Sequence, residues 1–361
     1  MDQMNIDNEL TLLCGDPYLR SIEWYMRTTI YKYRHLPADM IIKPFIPIKK
    51  VIHSTGIGVS VSEDVLRTDE KNSIVAHQYH DQFENDDDLM KLHAPEISYD
   101  KEETTRQFQQ VGDIMGDIIP VKIVGMDCLY VTTWDNISTY RGVSQLLIDL
   151  VDRPEFSHQL VEKLTEIKVD ELRQYEELDL FENDPSLLHC TPILTNDLPA
   201  KEYSGGPLTR KDIWGRGAAQ IFSSVSKDMH EEYDIAYMQK TIGECGLSYY
   251  GCCEALDKKI DIVEKLKNLR KISITPWADV ENAAEIINKR YVLSSKPNPA
   301  SVAVAYLDKE ALRKEIGKIL SACKKNNCSV DIVLKDISSC GHRPENIFEW
   351  EQTVMQMVNE W

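Results

Sequence analysis

The sequence predicts an α/β fold, a (β/α)8 TIM barrel with an N-terminal helical extension. From about Pro120 onward, short β-branched runs alternate with turns and with longer stretches of helical spacing, as in parallel strands joined by helices. The 361 residues are enough for one such barrel and an extension. No Gly-x-Gly-x-x-Gly turn follows an early strand, which weakens the alternative of a doubly wound dinucleotide-binding sheet.

The individual elements follow from the hydrophobic pattern. Short apolar runs predict eight strands, at Met40–Ile48, Val121–Met126, Leu188–Ile193, Ile221–Val225, Leu247–Cys252, Lys271–Thr275, Tyr291–Ser295 and Val330–Ile337. Amphipathic stretches predict helices at Pro154–Glu177, Met229–Gly243, Lys258–Leu266, Val280–Lys289, Lys309–Lys325 and Glu345–Val358. Asp279 and Asp308 stand where two helices begin and are predicted N-caps, because a carboxylate accepts hydrogen bonds from the free backbone N–H groups there.

The chain is predicted to have two regions. Residues 1–36 form the helical extension, which covers one end of the barrel, and residues 37–361 form the barrel domain. An insertion around residues 64–118 contains the acidic run at 86–88. No linker rich in Pro, Gly or Ser marks a further domain.

Composition narrows the choice of partners and compartment. Acidic residues outnumber basic ones by 59 to 41 and no long Lys/Arg run occurs, so nucleic acid is not an expected partner. No apolar window reaches the roughly 18 residues that span a bilayer, and the acidic N-terminus is unlike a secretory signal. We therefore expect a cytoplasmic protein without a membrane partner. The nine cysteines lack framework spacing, which favours reduced thiols over disulfides.

Barrel enzymes place their reactive groups just past the carboxyl ends of the strands. The polar or thiol residues at those positions are Asp127, Cys128, His189, Cys190, Cys252, Cys253, Glu254, Lys296, Asn298, Asp336, Cys340 and His342. His189 and Cys190 lie inside an apolar run, which favours a hydrogen-bonded core histidine over a ligand.

The segment Tyr250–Glu254 after the fifth predicted strand is the strongest candidate for chemistry. Strand alternation would put Tyr250 and Cys252 on one face. A Cys252 thiolate, Glu254 and a further Cys or His could hold Zn²⁺ with one open position. The alternative is that the cysteines are small buried core residues, since free cysteine is among the most buried residue types.

Three loop or helix-start positions suit a small organic ligand. Trp134 and Trp214 stand beside polar residues on the expected active face, where an aromatic wall favours ligand binding. His230 begins a predicted helix and is expected to line the barrel mouth. Surface packing of the tryptophans and a solvated helix start are the alternatives.

Three segments together resemble the uroporphyrinogen decarboxylase superfamily, which includes zinc methyltransferases of corrinoid pathways. They are Ser224–Tyr233, Tyr250–Glu254 and Tyr291–Pro299, and the resemblance covers roughly residues 118–361. Two features depart from it. The stretch Ile41–Lys49 lacks the arginine signature of the decarboxylases, and Tyr250 replaces the histidine of the methyltransferases' His-x-Cys metal pair.

The resemblance implies a methyltransferase that moves a methyl group from a small methylated compound to a corrinoid-binding partner protein. Zinc would be the Lewis acid, with Cys252, Glu254, Cys340 and His342 as candidate ligands. The expected catalytic residues are Asp127, Tyr250, Arg216 and Lys296. The expected substrate-binding residues are Trp134, Trp214, His230 and Asn298. The alternatives are a metal-free decarboxylase or lyase that uses Asp127, Arg216 and Lys296, and a barrel that only binds a ligand or partner.

Overall fold

A computed structural model describes residues 2–67, 75–183, 188 and 190–361. In this part of the chain the strands are β1 Ile46–Lys49, β2 Val51–Ser54, β3 Glu63–Leu66, β4 Ala76–Tyr79, β5 Ile97–Asp100, β6 Val121–Val124, β7 Cys128–Val131, β8 Trp214–Gly217, β9 Leu247–Tyr250, β10 Leu269–Ile274, β11 Val292–Ser295 and β12 Ser329–Ile332. The α-helices are α1 Pro17–His35, α2 Lys101–Met115, α3 Thr133–Arg141, α4 Val143–Asp152, α5 Pro154–Glu177, α6 Lys227–His230, α7 Ala236–Met238, α8 Ile260–Val263, α9 Val280–Ile287, α10 Lys309–Lys325 and α11 Glu345–Asn359.

Strands β7 to β12 form a six-stranded sheet in chain order, and the register of every neighbouring pair is parallel. Parallel neighbours need crossover connections, which the intervening helices supply. The predicted α/β class is therefore confirmed. Strands β1 and β6 form a separate parallel pair, and a parallel bridge between Met126 and Phe181 follows it.

Closure of the strands into a barrel is not seen in the described residues. No ladder there joins β12 to β1. In place of the predicted eight-stranded closed sheet, the described residues form the six-stranded sheet and a separate β1–β6 pair. Two smaller antiparallel pairs, β2–β5 and β3–β4, lie in the region predicted as an insertion or beside it. Of the predicted third strand, residues 188 and 190–193 form no strand, although Pro192 makes an isolated β-bridge, and His189 lies outside the described residues.

The predicted strand Ile221–Val225 was wrong. That segment is part of a 3-10 helix, Gln220–Ser224, and the strand is β8, seven residues earlier in the chain. Gly215 and Gly217 explain the error, because glycine lowers strand propensity. Both glycines are needed: a Cβ atom would come within 2.8 Å of the Ile242 side chain at Gly215 and within 2.6 Å at Gly217.

The helix predictions differ in accuracy. Helices α5 and α10 have the predicted bounds, and both predicted N-caps are confirmed: Asp279 accepts from the N–H of Glu281, and Asp308 from that of Glu310. The predicted helix Met229–Gly243 is broken into α6, a π-helix over Glu231–Ile235, and α7.

The two faces of the six-stranded sheet have different chemistry. One face belongs to the largest hydrophobic core, in which Leu129, Ile272 and Leu293 pack against helix residues such as Ala283 and Ile316. The opposite face carries polar side chains, which are buried except for the partly exposed Asp331. We call it the polar face, defined by Arg216, Tyr249, Lys271, Ser273, Ser294, Lys296 and Asp331. Among the described helices, none combines the length and apolar character needed to cross a bilayer.

Candidate functional site

Arg216 is the central residue of the polar face. It lies on β8 with no solvent exposure, and none of its three guanidinium nitrogens has a hydrogen-bond partner among the described residues. The ring of Tyr130, with its centroid 4.1 Å from the guanidinium carbon, is a partial compensation. A buried charge without an acceptor is costly, so this position calls for an anion. Burial lowers the pKa of Arg216, but Cys190 and Tyr130 raise it, and the net shift is upward, so the side chain remains a cation.

Two more unpaired donors lie on the same face. The Trp214 indole nitrogen is buried and lacks a hydrogen-bond partner in the described chain. The Tyr249 hydroxyl is also buried and makes no hydrogen bond of normal length and angle there, although Cys190 and Ser273 lie close enough to influence its pKa. Tyr249 is directly opposite Arg216 in the β8–β9 ladder, and Trp214 precedes Arg216 by two residues on the same strand face. Burial raises the pKa of Tyr249 well above its usual value, so its hydroxyl stays protonated and can donate. Three donors therefore share one buried region.

Lys296 extends this region to β11. Its ammonium donates to Ser294 Oγ at 2.6 Å, and Ser294 in turn donates to Asp331 Oδ1 at 2.5 Å. Its Nζ is 5.7 Å from the ring centroid of Tyr249, so Arg216 and Lys296 flank the same tyrosine. Burial lowers the pKa of Lys296 to about 8, which suits a group that exchanges a proton near neutral pH.

Asp331 anchors the far side of the polar face. Its Oδ2 accepts a hydrogen bond from Lys271 Nζ at 2.9 Å, and Lys271 also donates to the carbonyl of Pro192. Asp331 is therefore paired, and it holds Lys271 and Ser294 in place. Lys296 Nζ donates to Ser294 beside this ion pair, and burial lowers the pKa of Lys296.

A thiol pair, Cys252 and Cys253, follows β9. The two sulfurs are 3.8 Å apart, and Lys335 Nζ lies 3.4 Å from Cys252 Sγ and 3.0 Å from Cys253 Sγ. Cys253 is exposed and also donates to Asp336 Oδ2 at 3.3 Å, whereas Cys252 is buried. The hydrogen bond with Cys252 and the charge of Lys335 together lower the pKa of Cys253 to about 7, against the opposing effect of burial.

Tyr250 does not share a face with Cys252, which corrects the strand-alternation prediction. Tyr250 belongs to the helix-side core, while Cys252 clusters with Tyr249 and Trp214. The cause is Gly251, whose φ of 102° interrupts the strand geometry, so that Cys252 returns to the side of Tyr249.

Tyr250 is instead part of a buried network beneath the sheet. Its hydroxyl donates to Asp234 at 2.5 Å and lies 2.6 Å from His230 Nε2. His230 Nδ1 lies 3.3 Å from Lys259 Nζ, which also donates to the carbonyls of Phe222 and Val225. Because His230 has no solvent exposure, it does not line an open mouth as expected.

The four predicted zinc ligands are not brought together as a metal-binding group. Both Glu254 oxygens accept backbone N–H groups, from Ala219 at 3.3 Å and from Cys252 at 2.9 Å. Cys340 Sγ lies 3.3 Å from the side-chain oxygen of Gln3, and the backbone N–H of His342 donates to the same oxygen. Within the described ranges, no group of three or more His, Cys, Asp or Glu residues could hold a metal ion. The predicted donor set therefore does not fit zinc.

The remaining predicted site residues lie apart from the polar face or have structural roles. Asp127 lines a cavity of about 380 Å³ together with Pro47 and Lys49 at the end of β1. Trp134 is buried and donates to the carbonyl of Tyr233 at 2.7 Å. Asn298 accepts from the N–H of Ala300 and caps a short 3-10 helix.

Sequence reasoning missed Tyr249, Lys335 and Asp331. Tyr249 and Arg216 would have been paired if Trp214–Gly217 had been recognised as a strand instead of a loop. Because side chains alternate along β12, Asp331 lies on the polar face. Candidates were sought at or beyond the carboxyl ends of the strands, so Asp331, which lies within a strand, was not predicted. Nothing local in the sequence indicates that Lys335 meets the thiol pair, because 82 residues separate it from Cys253.

No family model and no curated protein sequence matches the chain. Among solved structures, it is similar to a B12-independent methionine synthase from Shewanella sp. W3-18-1 in complex with selenomethionine. The sequence identity is 11% and the TM-score is 0.40, over 85% of this chain and 77% of that chain. A likeness of this size assigns no activity to the chain.

Proposed function

We propose that the chain is an enzyme that binds a small organic anion on the polar face and acts on it as a metal-free decarboxylase or lyase. The observation that carries the proposal is the fully buried Arg216 guanidinium, which lacks a hydrogen-bond partner among the described residues. A carboxylate matches the fork geometry of a guanidinium and would satisfy it with charge-assisted hydrogen bonds. Tyr249 and Trp214 would add neutral donors on the same side.

Arg216 and Lys296 suit different parts of one reaction. Arg216 would anchor a carboxylate that stays on the substrate, which makes a dicarboxylate the expected substrate class. When a second carboxylate leaves as CO2, the carbon–carbon bond breaks and its electron pair stays on the substrate carbon. The Lys296 ammonium would stabilise that charge and then supply the proton, because its pKa of about 8 leaves it mostly protonated at pH 7. Solvent would return the proton to Lys296.

The test is release of CO2 from carboxyl-labelled malonate and oxaloacetate, corrected for the spontaneous reaction. We expect wild-type protein and Lys289→Met, which removes an exposed lysine, to release label at equal rates. Lys296→Met should fall to the spontaneous rate, and Arg216→Met should need much more substrate. Label release that is unaffected by either variant would contradict the proposal, as would none above background.

Methyl transfer to a corrinoid-binding partner, with zinc as Lewis acid, is the second candidate. Its support is the resemblance of three sequence segments and the soft thiol donors of Cys252 and Cys253 at the end of β9. Glu254 and Cys340 are engaged in other hydrogen bonds, which weighs against this candidate. Zinc per chain in protein purified without chelator separates the two candidates. Stoichiometric zinc that is lost in Cys252→Ser favours methyl transfer, and zinc absent from the wild type rejects it.

A further inference from the structure

We propose that Cys253 and Cys252 form a reversible disulfide, and that this site at the end of β9 is oxidised by hydrogen peroxide. The proposal goes beyond the proposed function and does not depend on the substrate. It rests on the placement of four side chains: the two thiols, Lys335 and Asp336.

The geometry divides the two thiols into an attacking and a resolving sulfur. Cys253 is exposed and open to a dissolved oxidant, whereas Cys252 is only 3% exposed and lies directly behind it. Their sulfurs are 3.8 Å apart, and side-chain rotation has to bring them to about 2.0 Å for a bond. Strained or exposed disulfides are the readily reduced ones, so a bond between neighbouring cysteines would be reversible.

The charges around Cys253 favour its thiolate. Lys335 Nζ is 3.0 Å from Cys253 Sγ and favours the thiolate. Asp336, which is paired with the same lysine, also accepts from the Cys253 thiol and opposes this effect, but the net shift of the Cys253 pKa is downward. Thiolate character and exposure decide which cysteine is oxidised. Cys14, which is partly exposed, is the natural comparison, because its backbone N–H donates to the Glu23 carboxylate, whose negative charge disfavours a thiolate, whereas Cys253 lies beside an ammonium.

The chemistry balances with peroxide as the oxidant. The Cys253 thiolate attacks one peroxide oxygen, a sulfur–oxygen bond forms, the oxygen–oxygen bond breaks, and the departing hydroxide takes a proton to become water. Cys252 then attacks the sulfenic sulfur of Cys253, the disulfide bond forms, and the second oxygen leaves as water. The two thiols lose two electrons, and peroxide gains them.

Oxidation would also change the polar face. Cys252 packs in one cluster with Trp214 and Tyr249, two of the residues that carry unpaired donors beside Arg216. Moving its sulfur toward Cys253 takes it out of that cluster. The thiol pair is therefore placed to make the Arg216 region respond to oxidants.

The experiment treats the intact chain with hydrogen peroxide and follows it by intact mass and peptide mapping. We expect the wild type and Cys14→Ser to lose two hydrogens, with the bond mapped to Cys252–Cys253 and reversed by dithiothreitol. In Cys252→Ser, or in Cys252→Ala if the serine variant does not fold, dimedone should trap a sulfenic acid on Cys253. Lys335→Met should slow peroxide oxidation at pH 7 by about fivefold, because a rise of about one unit from a thiol pKa of about 7 lowers the thiolate fraction from about one half to about one tenth.

Three results would overturn the proposal. The first is a wild-type mass that stays unchanged under peroxide concentrations that oxidise free cysteine. The second is a disulfide that maps to Cys190–Cys252. The third is dimedone labelling of Cys14 in preference to Cys253.

Discussion

Arg216 and Tyr249 face each other across the β8–β9 ladder, and both carry buried polar groups that make no well-formed hydrogen bond in the described part of the chain. Each such group costs about 1–3 kcal/mol when it is left unsatisfied, and more when it is charged. Because the Arg216 guanidinium and the Tyr249 hydroxyl lie at one ladder position, a single anion would accept hydrogen bonds from both. The predictions below test that interpretation and the packing around it.

Arg216→Met should stabilise the protein when no ligand is bound. Methionine has a similar length and removes a buried charge whose nitrogens lack acceptors, and an unsatisfied buried polar group costs about 1–3 kcal/mol, so a gain of that order is expected. Part of that gain is lost with the contact to the Tyr130 ring. Urea unfolding of the variant measures the change, and the surface variant Arg173→Met, which loses exposed ion pairs with Asp170 and Glu177, should lie within about 1 kcal/mol of the wild type. Destabilisation by Arg216→Met of several kcal/mol would show that the guanidinium has a structural partner.

Tyr249→Phe and Tyr250→Phe form a matched pair. The first removes a hydroxyl that makes no well-formed hydrogen bond among the described residues and has only Cys190 and Ser273 close by, so the free energy of unfolding should change little. The second removes the hydroxyl that bonds with His230 and Asp234, and should cost about 1–3 kcal/mol. Urea unfolding of both variants decides. Equal losses in the two variants would contradict the assignment of Tyr249 as an unpaired donor.

Asp135, in the first turn of α3, should make stability depend on pH. Its carboxylate accepts hydrogen bonds from the Gln220 side chain and from the N–H of Ile221. Burial raises its pKa to about 6, from 3.8 in the unfolded chain, so the folded state binds the extra proton between these values. Its contribution is fully present below pH 3.8 and is lost as pH rises through 6. Asp135→Asn should therefore match the wild type near pH 4 and exceed it by about 2–3 kcal/mol at pH 8. Unfolding measured at both pH values checks this, and an equal difference at both would refute it.

Gly215→Ala should test the position of β8. An added Cβ would lie 2.8 Å from Ile242 Cβ and 2.9 Å from Cys245 Sγ, and such overpacking costs about 1–3 kcal/mol. Gly112→Ala on α2 is the control: nothing lies within 4 Å of its Cβ, and the change should stabilise that helix by about 0.5–1 kcal/mol. Thermal unfolding of both gives the comparison. If Gly215→Ala is neutral, β8 does not pack against Ile242.

The sequence predicted elements that depend on local pattern and missed those that depend on distant contacts. Helix α10 and its cap at Asp308 were readable because amphipathic spacing and capping are local. Strand β8 was not, since its two glycines are required by Ile242, which is far along the chain. The site residues show the same difference between local pattern and distant contact. Arg216 and Lys296 were named as candidates, but the burial that makes Arg216 unpaired and the pairing of Cys340 with Gln3 arise only in the folded chain.

The most direct test of the account is calorimetric titration of malonate into wild type, Arg216→Met and Arg173→Met at low ionic strength. Loss of a buried charge from an ion pair costs about 2–5 kcal/mol, so we expect Arg216→Met to bind at least about 30-fold more weakly. Arg173→Met should bind as the wild type does. Equal malonate affinity in wild type and Arg216→Met, or no binding by the wild type, would contradict the claim that Arg216 is the anion site.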